Sequence, residues 1–447
     1  MSGQPWGKIP KNSPPPTSAP ERRIFAPAAA TWPLAGKLVR RLFRYRFTWL
    51  IIIGLWLSIL LGERVPAGTW SLAPLLALTV PMWLALLVLV CLYWLRRSWR
   101  VALLPLAALL LAWGQVERGL PLHVSDVSGI VPGIWDQASK LAGKPLAKAD
   151  SQSLIPNPQS LSTKPQALPA TLRLLSANVR IFNVYPQLRR LDPTAPAKAI
   201  AWLAASPADV LCLQEFYQEP AGTRSADGEL YRVADRLGPG SGRHGFVSKS
   251  LVNSAGAEFG IAIFSRLPIV GRGEISFGRL TQNHAMWVDV AGPGRGDTVR
   301  IFNTHLQSMS LDEGDIVAAG SSRAGLKSKG RGLLRRFVRG AAARAWQADT
   351  LVANIRRSPY PVLLAGDLND VPYSYAYSQL ANELQNAWAT VGFGPGNTYH
   401  GRLPPLLRID QQFAGPRWQV LGCRVHTQIP YADHYPVEGV YRLKEKK

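Results

Sequence analysis

A run of 26 residues without a charged side chain, Trp70–Leu95, constrains the fold of this chain more than any other feature. As a helix it easily spans the roughly 30 Å of hydrocarbon in a bilayer. In a soluble domain, a helix that is apolar all round would have to be buried on every side. The run therefore predicts a membrane-spanning helix.

Two more uncharged runs, of 16 residues each, flank the first: Phe47–Gly62 and Val101–Val116. Each falls short of the roughly 20 residues of a typical span, but arginine side chains at their ends can reach the membrane interface, where the nearby tryptophans also fit. We therefore predict three spans, at residues 47–62, 70–95 and 101–117. The alternative is one span accompanied by two buried or interfacial apolar helices.

Composition agrees with a membrane-attached protein that has a globular part. The 447 residues include 51 basic and 28 acidic ones, a net charge of +23, yet only 18% are charged, against about 25% in an ordinary soluble protein. This excludes a simple basic nucleic-acid-binding domain, and 47% hydrophobic residues exclude disorder throughout. Three scattered cysteines exclude a disulfide scaffold and a cysteine-based zinc site.

The basic residues predict the orientation in the cell membrane. With three spans, the clusters Lys37–Arg46 and Arg96–Arg100 lie on one side, which the positive-inside bias makes cytoplasmic. Everything after residue 120 then lies outside the cytoplasm. With only two spans, the residues after 120 would instead lie on the cytoplasmic side.

Four segments follow from these patterns. We predict a disordered basic cytoplasmic tail at residues 1–46, the transmembrane region at residues 47–120, a linker rich in Pro, Ser, Lys and Gln at residues 121–170, and one large domain at residues 171–447. In the last segment, short apolar β-type runs alternate with helical patterns, which predicts an α/β domain. The predicted elements are Leu172–Ala177, Ala197–Ala205 (helical), Val210–Leu213, Gly260–Phe264, Met286–Val290, Val299–Asn303, Ala341–Ile355 (helical) and Val362–Ala365.

Polar side chains follow several of the predicted strands. They include Asn178, Gln214-Glu215, Asn303-Thr304-His305 and Asp367-Leu368-Asn369. Ligand sites in α/β folds gather at the ends of strands, so these groups can converge. Asn, Asp and Glu oxygens suit Mg²⁺, and histidines beside acidic residues suit acid–base chemistry. A metal with His and Asp, and without a Ser or Cys nucleophile motif, favours attack of water on a phosphorus ester.

In this order the motifs resemble the endonuclease/exonuclease/phosphatase superfamily, which includes deoxyribonucleases, abasic-site endonucleases, neutral sphingomyelinases and inositol-polyphosphate phosphatases. The resemblance spans about residues 171–443 and implies a four-layer α/β sandwich, with two packed mixed β-sheets flanked by helices. The amino-terminal segments look like those of membrane-bound bacterial members. The matching pieces are Ser176–Arg180, Leu213–Glu215, Gly260–Ile269, Asn303–Leu306, Gly366–Asp370, Arg408–Asp410 and Ala432–Pro436.

The resemblance also implies roles for single residues. Glu215 would be the chief Mg²⁺ ligand, with Asn178 nearby and Asp433 completing the set; Mn²⁺ is a possible substitute. The implied catalytic residues position or activate water, hold the phosphate, or act as acid–base and hydrogen-bonding groups: His305, Asp367, Asn369, Asp410 and His434.

Two residues depart from the family pattern. Gln411 and Gln412 follow Asp410 where aromatic and aliphatic residues are usual, and Ala432 replaces a usual Ser. Neither change removes a charge that the mechanism needs, so we expect an active enzyme.

The segment Arg323–Arg344 carries eight basic residues and no acidic one, in part at helical spacing. It could contact a nucleic-acid backbone, anionic lipid headgroups, or only solvent. No protein partner can be inferred. The sequence thus predicts an integral-membrane, Mg²⁺-dependent phosphodiesterase acting on nucleic acid or a phospholipid-type headgroup. The alternatives are a phosphomonoesterase of the same fold and a catalytically silent membrane-anchored binding protein.

Overall fold

The computed structural model describes residues 45–123, 171–188, 192–223, 228–278, 283–291, 298–308, 323–401 and 407–445, with the backbone alone for 323–329. Most of the predicted tail, and the predicted linker from residue 124 onward, lie outside these ranges. The chain divides into two compact units, Met1–Trp49 and Leu50–Lys447. Of the first, the structure describes Tyr45–Trp49.

The described chain begins with apolar helices. These are α1 (Arg46–Arg64), α2 (Ala73–Arg97), α3 (Trp99–Leu111) and α4 (Trp113–Gly119). Helices α1 and α2 are each long and apolar enough to cross a membrane. The pair α3 and α4, bent by 59° at its break, passes the same test only if it is taken as one span. The described residues therefore contain two candidate spans, or three with the bent pair.

Twelve strands among the described residues form two six-stranded sheets. The first contains, in spatial order, β11 (Trp418–Val425), β12 (Val437–Leu443), β1 (Leu172–Asn178), β2 (Val210–Gln218), β4 (Glu258–Ser265) and β3 (His244–Val252). The second contains β5 (Ile269–Ser276), β6 (His284–Val290), β7 (Val299–His305), β8 (Val362–Asp367), β10 (Asp410–Ala414) and β9 (Gln385–Asn386). Both are mixed, because β1 with β2 and β7 with β8 are parallel pairs in otherwise antiparallel sheets.

The two sheets pack face to face, and helices cover their outer faces. Between the sheets lies a core to which Cys212 and Ile263 contribute from one side and Val288 and Ile301 from the other. The remaining α-helices of the described residues are α5 (Ala195–Ala205), α6 (Val233–Leu237), α7 (Arg323–Arg356), α8 (Tyr375–Glu383) and α9 (Ala387–Val391). Helix α5 packs on the first sheet, and α7 and α8 pack on the second. The predicted four-layer α/β sandwich is confirmed.

Burial of apolar residues explains several of the strands that the sequence indicated, whereas β10 is buried throughout but largely polar. Strands buried on both faces, such as β8, are apolar at nearly every position and stand out as continuous runs. The edge strands β3 and β5 are largely exposed or half-buried, and the apolar pattern did not indicate them.

Chain connectivity places the ends of the central strands together. The crossover from β1 to β2 runs through α5, and that from β7 to β8 runs through α7. Because each pair is parallel, its two carboxyl ends lie at one edge of its sheet.

Candidate active site

The predicted site residues meet at the carboxyl ends of the parallel strands. Asn178 ends β1, Glu215 directly follows the last β2 residue that pairs with β1, and His305 and Asp367 end β7 and β8 side by side. Asp410, the first residue of β10, pairs in register with Asp367. A hydrogen bond from Asn178 Nδ2 to Asp367 Oδ2, 3.0 Å long, joins the edges of the two sheets.

Asn178 and His305 bridge two carboxylates. The Asn178 amide also donates to Glu215 Oε1 at 3.1 Å. His305 Nε2 lies 3.9 Å from Glu215 Oε1 and 3.7 Å from Asp367 Oδ2. The Glu215 side chain is partly open to solvent, whereas Asp367 is buried. The group therefore has one accessible carboxylate at its mouth and one enclosed behind it.

A second pair, His434 and Asp410, completes the buried part of the site. His434 Nδ1 lies 2.8 Å from Asp410 Oδ2 and 4.0 Å from Asp367 Oδ2. Burial disfavours the charged ring, but the attraction to and hydrogen bond with Asp410, together with Asp367, raise the pKa of His434 to about 10. Burial, followed by repulsion from Asp410, raises the pKa of the Asp367 carboxyl. The arrangement holds a proton between His434 and Asp410.

Backbone strain occurs at two of the predicted residues. Glu215 and Asn369 have φ of +49° and +50°, in the left-handed region that non-glycine residues rarely adopt. Glu215 lies where the register of β2 against β4 shifts, which turns its side chain toward the site. The Asn369 backbone N–H donates to Asp367 Oδ1 at 2.8 Å, and its side chain donates to the Leu306 carbonyl at 3.1 Å. The strain is thus compensated by contacts that orient both side chains.

Asp433 lies beside Arg180, for which the sequence alone predicts no role. Its Oδ2 is 3.1 Å from Arg180 Nε, which follows β1. Burial raises the pKa of the Asp433 carboxyl, although His434 and Arg180 act against it. An arginine two residues after Asn178 could have been noted as a partner for an anion, and the structure makes it the direct partner of Asp433.

Buried amides link the two sheets behind the site, and sequence reasoning did not identify this function. Gln214 Nε2 donates to Asn303 Oδ1 at 2.7 Å, and Asn303 Nδ2 donates to the Leu213 carbonyl at 2.9 Å. Gln412 Nε2 donates to the Leu174 and Val437 carbonyls at 3.1 and 2.8 Å. Gln412, one of the two unusual polar residues after Asp410, is therefore a hydrogen-bonded connection between the two sheets.

The donor set fits a divalent cation. Asp367, Asp410 and His434 each offer a ligand atom, and these atoms lie within 4.8 Å of one another. Within the described ranges, Asp410 Oδ1 and His305 Nε2 are buried without a hydrogen-bond partner. Carboxylate oxygens dominate the region, as hard cations require. This cluster differs from the predicted ligand set of Asn178, Glu215 and Asp433. Of the two carboxylates in that set, Glu215 is the more accessible, and its role as chief ligand stays a prediction.

Solved structures similar to this chain share little sequence with it. An endonuclease/exonuclease/phosphatase from Beutenbergia cavernae is 22% identical, with 61% of this chain and 72% of that chain covered and a TM-score of 0.44. The human Nocturnin catalytic domain with bound sulfate is 17% identical, with 62% and 96% covered and a TM-score of 0.43. A Bacteroides vulgatus endonuclease/exonuclease/phosphatase is 16% identical, with 61% and 99% covered and a TM-score of 0.44.

No curated protein matches the chain. Two family models do. One, a domain of unknown function (DUF8431), matches residues 40–119. The other, the Endonuclease/Exonuclease/phosphatase family, matches residues 175–434, which is more than half of the 447 residues and contains every predicted site residue. The chain belongs to the endonuclease/exonuclease/phosphatase family, whose members are metal-dependent hydrolases of phosphoester bonds.

Proposed function

We propose that the chain is a membrane-anchored, Mg²⁺-dependent phosphodiesterase. The observation that carries this proposal is the convergence on Asp367 of Asn178, His305 and the His434–Asp410 pair, which come from both sheets. Together with Glu215, whose carboxylate is partly exposed, this group offers fixed hydrogen-bond donors and both a buried and an accessible carboxylate within a few ångströms.

The proposed reaction uses water as the nucleophile. Water adds to phosphorus, one P–O bond breaks, and the released alkoxide takes a proton, so that the products are a phosphomonoester and an alcohol. When bound, Mg²⁺ would polarise the phosphoryl oxygens and neutralise their charge. Glu215 would hold it, with Asn178 and Asp433 nearby.

The protein's own side chains then have separate roles. Asp410 engages His434 through Nδ1, which leaves Nε2 for a phosphoryl oxygen or the leaving group. Asp367, braced by the Asn369 backbone N–H, is placed to orient water and receive its proton. His305, 3.7 Å from Asp367, faces the phosphoryl group from the other side.

An ion pair supports the proposed anchoring and orientation. Arg118 near the end of α4 lies 3.0 Å from Glu63 near the end of α1. Helix α2 begins at the end of the helical region where Glu63 lies and runs to the opposite end. Because Arg118 contacts Glu63, α3 and α4 together must run back to the first end. This favours three crossings, with the hydrolase domain and the Arg96–Arg100 cluster at opposite ends. By the positive-inside bias, the domain is extracytoplasmic.

The test is hydrolysis of bis-p-nitrophenyl phosphate by the full chain in detergent. We expect activity with Mg²⁺ or Mn²⁺ that EDTA abolishes and added metal restores. Glu215→Gln should lower metal affinity and activity together, by about 10-fold or more. Folded protein without metal-dependent phosphoesterase activity would refute the proposal.

A further inference from the structure

An aromatic pocket of about 370 Å³ lies next to the candidate active site. Three parts of the chain form its walls. They are helix α9 with the segment that follows it up to His400, the end of β11 with the residues just after it, and Tyr435, which lies just before β12. Five of its lining residues carry rings: Trp388, Phe393, Tyr399, His400 and Tyr435. Among the described residues that line it, none is a lysine, arginine, aspartate or glutamate.

Backbone and ring contacts tie this pocket to the site. Tyr399 forms a β-bridge with His434, and their ring centroids are 5.0 Å apart. The His400 backbone N–H donates to the Asp433 carbonyl at 3.0 Å. Tyr435, which directly follows His434, stacks on His400 with centroids 4.1 Å apart. Two segments that line the pocket thus contact His434 or the residue before it, which places the pocket within reach of a substituent of a phosphoester bound at His434.

The same pocket is joined to the end of the apolar helices. The Gly394 N–H donates to the Pro121 carbonyl at 2.8 Å, and Leu122 forms a β-bridge with Phe393. Both bridged side chains remain exposed, Leu122 by 51% and Phe393 by 64%. Leu122, three residues after α4, and Phe393 thus form an exposed apolar rim beside the pocket. The interface of a bilayer would cover this rim.

We propose that this pocket is a subsite for the apolar part of a membrane phospholipid, so that the enzyme hydrolyses lipid phosphodiesters. The inference rests on the proposed function and specifies its substrate. The aromatic, uncharged lining suits the part of an acyl chain nearest the lipid headgroup. A nucleic acid would place its neighbouring phosphates there, and these require cationic partners. Continuity with the helix α4 segment brings the rim to the surface where such a lipid resides.

The experiment uses the full chain in nanodiscs of phosphatidylcholine, phosphatidylethanolamine and phosphatidylglycerol. Lipid products are measured by mass spectrometry, beside bis-p-nitrophenyl phosphate, plasmid DNA and RNA. Phe393→Ser should lower the ratio of lipid to bis-p-nitrophenyl phosphate turnover about tenfold or more, since a large apolar contact is lost. Val270→Ser, at a side chain of similar exposure (62%) on β5, should preserve the ratio.

Two other outcomes would overturn the inference that the pocket binds lipid. DNA or RNA cleaved in preference to lipid, with Phe393→Ser impairing that cleavage, would make the pocket a nucleobase subsite. Lipid cleavage with an unchanged ratio would mean that the pocket does not bind substrate. Absence of metal-dependent bis-p-nitrophenyl phosphate hydrolysis would instead refute the proposed function itself.

Discussion

Asp367 is the residue around which the rest of the candidate site is arranged. Its side chain is 1% exposed and receives hydrogen bonds from Asn178 Nδ2 and the Asn369 backbone, with His305 and His434 within 4.0 Å. A buried carboxylate is tolerated only where such partners compensate its charge. A substitution at any of these partners therefore alters the environment of Asp367 as well as its own contact.

His434→Ala should lower kcat/KM for bis-p-nitrophenyl phosphate by about 10²-fold or more, the scale of an acid–base or charge-stabilising contribution. Asp410→Asn should cost less, because the amide oxygen can still accept from His434 Nδ1. His244→Ala, at an exposed histidine on β3, is the matched control and should retain the rate. An undiminished rate for His434→Ala would place the chemistry elsewhere.

At the scale of single elements, α7 combines two different halves. Its carboxyl-terminal half packs Ala348, Leu351 and Ile355 on the second sheet. Arg344 is the last residue of the basic segment Arg323–Arg344, yet its side chain is 1% exposed and lies 2.8 Å from Asp370 Oδ2. It is therefore a structural residue, which removes it from any contact surface. Arg331, Arg335 and Arg339 are exposed on the preceding turns, and the side chains of residues 323–329 lie outside the described part.

Replacing Arg331, Arg335 and Arg339 with Gln should weaken association with anionic vesicles and reduce its salt dependence, because each arginine near an anionic surface contributes about 1 kcal/mol. Cosedimentation with phosphatidylglycerol vesicles at increasing salt measures this. The control replaces three exposed arginines elsewhere, Arg272, Arg357 and Arg442. Equal effects of both triple variants would show that only net charge matters.

Strand β12 is held to its neighbours by a buried ionic group at Glu438. Its Oε1 lies 2.7 Å from Arg173 Nη2 of β1, and its Oε2 lies 2.8 Å from His426 Nε2 just after β11. Burial alone would raise the Glu438 pKa, but the His426 hydrogen bond and Arg173 outweigh it and lower this pKa. The ionised carboxylate therefore stabilises the fold.

Glu438→Gln should lower the free energy of unfolding at neutral pH by about 3 kcal/mol, since it removes the buried carboxylate that pairs with both Arg173 and His426. The folded pKa lies below the ordinary 4.5, so the contribution is present above that pH and is lost as pH falls through the folded pKa. Tryptophan fluorescence during denaturation in detergent measures both effects. Glu383→Gln, which breaks the surface pair with Arg356, should cost under about 1 kcal/mol. A Glu438→Gln effect that is independent of pH would contradict the ionic explanation.

At the scale of the whole molecule, the hydrolase part and the apolar helices are packed together within the unit Leu50–Lys447. Tyr373, six residues after Asp367, is buried in the cluster formed by α1, α2 and α3. Gly119 closely approaches the Tyr373 hydroxyl, where a side chain would not fit. Buried Arg408, two residues before Asp410, donates to the Arg118 carbonyl. Residues close to Asp367 and Asp410 thus also contact the apolar helices.

A reporter fused after Lys447 tests the proposed topology. Alkaline phosphatase, which folds only outside the cytoplasm, should be active there, and a reporter that requires the cytoplasm should be inactive. The same fusions after Arg97 should give the opposite pattern, because that end of α2 is predicted to be cytoplasmic. Activity of the cytoplasmic reporter at the carboxyl terminus would contradict three crossings.

Local sequence determined the components of this protein. Long uncharged runs indicated the apolar helices, and doubly buried strands such as β1 and β8 were visible because each is apolar over most of its length. The order of polar residues after these strands was enough to recognise the family. The roles of the eight predicted site residues stay predictions, although the structure brings them to one edge of the fold.

Tertiary structure alone decided which of these residues touch one another and what lies beside them. Arg180 meets Asp433, Arg344 is withdrawn into a buried ion pair, and Gln412 bonds across the sheets. The Leu122–Phe393 bridge joins positions 271 residues apart. Local patterns record how each side chain suits its own strand or helix, whereas these partners are brought together by the packing of distant segments, which no local pattern contains.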